Sequence, residues 1–233
     1  MPIELNLLCA GAAQGLVGSL APRLLSEAGA IPVGRFGAVG AMKEALLAGE
    51  PCDVMVSTAA MLDELVAQGR LRETGRAAIG RVRTAVAVRR GMPRPDVSSP
   101  DALAAALSAA DAVYCPDLER STAGQHFRSV LVQLGLADEL GPRLRMFPNG
   151  ATAMREMGAS KDAHPIGCTQ ATEILYTDGV TLVAMLPPRF ELATVYAAAI
   201  GAHAAHPEAA ARLIGLLTGP GTAALRADAG FEA

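Results

Sequence analysis

Short apolar runs rich in β-branched residues alternate with Ala- and Leu-rich stretches along almost the whole chain, the pattern of a sheet covered by helices. Ile3–Cys9 reads as the first strand. Gln14–Ala28 then predicts a helix, with Leu16, Leu20, Leu24 and Leu25 on one apolar face and Gly29 as its stop. Ile31–Phe36 reads as a second strand, and Val39–Ala48 as a helix ended by Gly49 and Pro51. Asp53–Ser57 is a short buried strand, followed by a helix over Met61–Gln68. Such alternation is the signature of a parallel α/β sheet.

A second series begins near residue 90. Arg83–Val88 alternates as a strand into the Arg89-Arg90-Gly91 turn, and the Pro- and Ser-rich segment Met92–Pro100 reads as a connector. A helix over Asp101–Ala110 follows, opened by Pro100 and Asp101. Then come strand Ala112–Cys115, a helix from Thr122 to Leu134, strand Leu144–Phe147, a helix over Gly150–Met157 and strand His164–Cys168. Thr181–Leu186 is again strand, stopped by Pro187-Pro188, and Thr194–Ile200 and Pro207–Leu217 form a last strand and helix. That final pair has no partners of its own, so the tail is expected to return to the first half. The prediction is two α/β lobes, 1–84 with 186–233 and 85–185, joined by a two-segment hinge with a ligand cleft between them.

Composition narrows the classes. Apolar residues make up 51% of the 233, with no Trp and 3% aromatics, so Ala, Leu, Val and Gly fill the core. A net charge of −3 without a basic block argues against nucleic acid as a partner. Every apolar run is broken well short of a membrane span, so no membrane insertion is expected. The start, Met1-Pro2-Ile3-Glu4, has no basic leader region. Cytoplasmic placement is the expectation for the chain as written, and periplasmic or extracellular placement if it was trimmed. Cys9, Cys52, Cys115 and Cys168 form no CxxC pair, and His126 and His164 complete no zinc spacing, so neither metal nor cofactor is expected.

Several segments together resemble the molybdate-type periplasmic substrate-binding proteins, of the type II solute-binding fold. They are LLCAGA at the first strand end, FGAVGAMKEALLAGEPCDVMVST in the second βα unit, STAGQHF at a helix head, IGCTQATEI after a lobe-two strand, and LTGPGTAALRADAGF at the terminus. The resemblance implies a periplasmic-binding-protein-like α/β fold, hinge bending, and an oxyanion gripped by helix N-termini. It also implies an ABC permease as partner if the protein is exported. Five small-residue corners suit that chemistry, because unpaired backbone N–H groups at a helix start face a negative ligand. They are Gly11 and Ala12; Ala38, Val39 and Gly40; Ser121, Thr122, Ala123 and Gly124; Asn149, Gly150 and Ala151; and Cys168, Thr169 and Gln170.

The sequence departs from the family at its ligand-holding side chains. Gly11 stands where the family places a Ser, Ala38 or Val39 where it places a second, and Gln170 where it has a Tyr. Each lost charge-assisted hydrogen bond is worth about 1.5–3 kcal/mol. A small organic di- or tricarboxylate is therefore expected in place of molybdate. The alternative is an isomerase on the same scaffold, resembling the family's aconitate-isomerase-like members, which shift a double bond by 1,3-proton transfer. Such chemistry requires a base, for which His126, Cys9, Cys168 and Glu173 are the candidates. Glu173 in a helix first turn and Asp53 before a strand also have purely structural readings.

Overall fold

A computed structural model describes residues 1–233. In chain order the first elements are β1 (Ile3–Ala10), α1 (Gln14–Ala28), β2 (Ala30–Gly37), α2 (Val39–Leu47), β3 (Val54–Thr58) and α3 (Ala59–Ala67). β4 (Ala77–Arg89), α4 (Pro100–Ala109), β5 (Ala112–Pro116), α5 (Thr122–Gln133), α6 (Ala137–Leu140) and β6 (Leu144–Phe147) follow. The chain continues with α7 (Gly150–Ala159), β7 (Pro165–Gln170), α8 (Ala171–Tyr176) and β8 (Val180–Met185), and closes with β9 (Ala193–Ile200), α9 (Pro207–Thr218) and α10 (Ala223–Asp228).

The fold divides into two units. Unit 1 comprises Met1–Val82 and Thr194–Ala233, and unit 2 comprises Arg83–Ala193. The return crossing falls later than the expected residue 186, because Leu186 and Phe190 are buried in the core of unit 2. β4 is split between the units at Val82 and Arg83.

In unit 1 the strand order is β2-β1-β3-β9-β4. β1 lies parallel to β2 and β3, as the alternating pattern predicts. β9 runs antiparallel to β3, with Val54 opposite Ile200 and Thr58 opposite Tyr196, so the sheet is mixed and not purely parallel. One face buries Leu8, Met42, Met55, Leu62, Leu65 and Ala199. α1 and α9 pack together through buried Leu16, Leu20, Leu24, Leu213 and Leu217; of the four leucines expected on the apolar face of α1, Leu25 is instead exposed, at the edge of the stripe. Asp53 ties this unit together. Its carboxylate accepts from the Asn6 backbone N–H at 2.8 Å and from the His206 N–H at 2.9 Å.

In unit 2 the order is β4-β7-β5-β6, with β8 on the other side of β4. β5 is parallel to β6 and β7, and β4 is antiparallel to β7 and β8. Phe127 is the largest fully buried side chain, set among Leu103, Leu107, Val130, Leu131 and Ile166. No helix is long and apolar enough to cross a membrane.

Candidate functional site

Helix starts differ in how their first amides are satisfied. α3 is capped by Thr58, whose hydroxyl accepts from Met61 N–H at 3.3 Å. α4 is capped by Ser99, accepting from Ala102 N–H at 3.1 Å, and α7 by Asn149, accepting from Thr152 N–H at 2.8 Å. α1, α2 and α8 begin at Ala13, Ala38 and Gln170, none of which makes a capping hydrogen bond. Ala38 has the extended N-cap geometry, φ −64° and ψ 146°, yet its methyl cannot accept. Before α1, Gly11, Ala12 and Ala13 form a single buried 3-10 turn. At α2, Val39 is buried and Ala38 and Gly40 are half-buried. These two corners of unit 1 therefore present amides with no internal side-chain acceptor.

The α5 corner is closed by its own residues. Ser121 accepts from Gly124 N–H at 3.5 Å, and Asp117 accepts from the N–H groups of Glu119 and Arg120 at 2.8 and 2.9 Å. Gly124 lies so close to the Asp117 carbonyl that any side chain there would overlap it. Ala123 is buried and Thr122 half-buried beside it. Here the Ser121 hydroxyl serves as a cap.

The Asn149–Ala151 corner is also used from within, which corrects the expectation that its amides stand free. Glu173 is fully buried and accepts from the backbone N–H groups of Ala151, Gln170 and Gly150. The Thr169 hydroxyl donates to the same carboxylate at 2.6 Å. Burial pushes the Glu173 carboxyl above its ordinary range, against these donors, which pull it down. A carboxylate of the chain thus occupies the start of α7, and Thr169 is committed to it. Sequence reading placed Glu173 in a first turn; its reach to a second helix is tertiary.

What unit 2 leaves open is Gln170. Its side chain is 2% exposed, and neither Oε1 nor Nε2 has a hydrogen-bond partner. Thr84, its cross-strand neighbour in the β4–β7 ladder, and Thr172 are also buried with unpartnered hydroxyls. In unit 1 the Ser57 hydroxyl is in the same state. Thr84, Thr172 and Ser57 were missed by sequence reasoning, because nothing local marks a Thr or Ser in a strand or helix as lacking a partner.

The cysteine expectations are corrected. Cys9 and Cys168 are both 0% exposed, and burial raises both thiols far from thiolate formation, in Cys168 with help from neighbouring Cys115. Burial likewise pushes Cys115 and Cys52 up to about 12. Cys168 lies inside the unit 2 core and offers no side chain to a ligand. Neither Cys9 nor Cys168 is a plausible base or nucleophile. His126 is half-buried one turn into α5, with Nε2 2.7 Å from the Phe190 carbonyl oxygen. A carbonyl only accepts, so Nε2 is the donor in this contact and Nδ1 is left without a part in it. No group of three His, Cys, Asp or Glu side chains could hold a metal ion.

Residues 5–232 match the profile of a family described as bacterial extracellular solute-binding protein. The chain belongs to this family. A curated aconitate isomerase from a Pseudomonas species is 28% identical over 234 residues, covering 98% of this chain and 87% of that protein. The Azotobacter vinelandii periplasmic molybdate-binding protein superposes with a TM-score of 0.81 at 18% identity, covering 98% of this chain and 99% of that one. The sulfate-binding protein SubI of Mycobacterium tuberculosis gives 0.76 at 15% identity, over 98% and 86% of the two chains. The fold is the type II periplasmic-binding-protein fold of this family.

Proposed function

We propose that this solute-binding-family chain captures a small organic anion with two or three carboxylates, and that backbone amides at uncapped helix starts hold its charge. The observation that carries this reading is the contrast in capping. α3, α4, α5 and α7 each have a side-chain cap and α8 is served by Glu173, whereas α1 and α2 at the strand ends of unit 1 have none; α6, α9 and α10 also lack a side-chain cap. An anion supplies the missing acceptor at such a start and is favoured by the helix dipole. The molybdate-binding and sulfate-binding neighbours, by name, take small anions, which supports the charge sign. Gly11, Ala38 and Gln170 supply no hydroxyl where the molybdate-type pattern expects one, which favours a larger organic anion over a tetrahedral oxyanion. In this reading the protein is a receptor. Delivery to an ABC permease would then require export.

A thermal-shift screen against molybdate, tungstate, sulfate, and a set of di- and tricarboxylates tests the reading. A ligand at 100 times its dissociation constant adds about 2.7 kcal/mol to stability. The expected result is a clear shift with a carboxylate and none with the inorganic oxyanions. A strong shift with molybdate alone overturns the organic ligand.

One observation favours a second reading, isomerisation of an unsaturated polycarboxylate: the near full-length likeness to an aconitate isomerase. A 1,3-proton transfer needs a base with a free lone pair near the ligand. Of the four candidates, the two thiols are protonated and Glu173 is held by four donors, which leaves His126 Nδ1. Following cis- and trans-aconitate by proton NMR decides it. Interconversion that His126→Gln abolishes supports catalysis, and no interconversion at saturating protein rejects it.

A further inference from the structure

We infer that the anion held by unit 2 is a hydroxycarboxylate, offering a hydrogen-bond donor beside its carboxylate. This rests on the anion-binding reading above and sharpens it. The starting point is the pair of unpartnered atoms on Gln170, a side chain only 2% exposed. Thr84, 1% exposed and opposite Gln170 in the ladder, and Thr172, 3% exposed and two residues along, also have hydroxyl oxygens without partners. Buried polar atoms in folded proteins nearly always find a partner, because one left without is desolvated and uncompensated. Three such side chains gathered at the β7–α8 corner mark a place where a polar guest completes the structure.

The amide discriminates between guests. One end donates two hydrogen bonds and the other only accepts, whichever way the group is flipped. A bare oxyanion or a fully ionised carboxylate only accepts. It can satisfy Nε2 and, through rotation, both threonine hydroxyls, but it sets negative oxygen against Oε1. Neither threonine hydroxyl bonds Oε1 in this structure. A hydroxyl next to a carboxylate supplies the missing donor while the carboxylate takes the rest. An ammonium would donate as well, but the carboxylate at this corner, Glu173, is already engaged by three amides and the Thr169 hydroxyl. It has no remaining role as counter-ion. A neutral donor fits better.

Isothermal titration calorimetry on matched pairs tests this directly: malate against succinate, citrate against tricarballylate, with aspartate as the ammonium-bearing control. The hydroxy acid is expected to bind at least about tenfold more tightly within each pair. In Gln170→Met, of similar length and without either polar end, that ratio should collapse toward one, with folding checked by thermal unfolding. Equal affinities of hydroxy and deoxy acids in the wild-type protein overturn the inference but leave organic anion binding standing, with water serving Oε1. Preference for aspartate overturns the hydroxyl assignment. Binding of molybdate with no carboxylate binding overturns both this inference and the reading beneath it.

Discussion

The Thr169 hydroxyl donates to the buried Glu173 carboxylate at 2.6 Å, joining the end of β7 to the first turn of α8. The same carboxylate takes the first amides of α7. One side chain thereby fixes two helix starts that sequence alone presented as separate ligand corners. Replacing Glu173 with Gln puts an amide NH2 against these donors and leaves at least one unsatisfied. The expected loss is about 1–3 kcal/mol in urea unfolding at neutral pH.

The pH dependence of that loss has a definite sign. Burial lifts the folded carboxyl above its ordinary value of 4.5. The folded protein then keeps this proton at pH values where the unfolded chain has released it. The contribution of Glu173 to stability is therefore greatest below the unfolded value and declines as pH rises through the folded one. Unfolding free energies of wild type and Glu173→Gln, measured between about pH 4 and 8, should show the wild-type advantage shrinking as pH rises. An advantage that grows would mean the amide donors outweigh burial.

Gly150 and Gly215 make a matched pair. A Cβ on Gly150 would overlap the Thr169 hydroxyl and the Glu173 carboxylate, whereas one on Gly215 in α9 meets nothing within 4 Å. Gly150→Ala should destabilise by about 1–3 kcal/mol through overpacking. Gly215→Ala should stabilise by about 0.5–1 kcal/mol through helix propensity. Thermal unfolding of the two variants checks both signs.

Thiol accessibility follows burial. Cys9, Cys115 and Cys168 are buried, and Cys52 is intermediate. Under native conditions at pH 8, a thiol reagent should reach Cys52 first and slowly, with the other three reacting only after unfolding. Fast native labelling of Cys168, read by mass spectrometry, would contradict its place in the unit 2 core.

Much of the fold is legible because its signals are local. β1, α1, β2 and α2 follow from apolar runs, a leucine face and Gly or Pro stops, and the unpaired tail pointed to the return of β9 and α9. β4 was read six residues short at its start: Ala77 through Val82 alternate only weakly, and the strand is completed by neighbours distant in sequence, as in the Arg81–Glu232 bridge. The antiparallel pairing of β9 with β3 was likewise invisible, since a run such as Thr194–Ile200 carries no direction. At the candidate site, small-residue corners could be found from sequence, but which of them were already filled could not. Ser121 and Asn149 are recognisable caps. Glu173 acts across the fold on Gly150 and Ala151, and the isolation of Gln170, Thr84 and Thr172 depends on what does not surround them.

The most direct test uses Ala38→Asp, which gives α2 the acceptor that α3, α4, α5 and α7 already have. Its thermal stability and its calorimetric affinity for the best carboxylate from the screen are measured together. Ala38 already has N-cap geometry, so the new carboxylate should stabilise the protein by about 1 kcal/mol while displacing the ligand from the same amides and weakening binding at least about tenfold. A variant that is stabilised yet binds as tightly as the wild type would show that these amides are not what holds the anion.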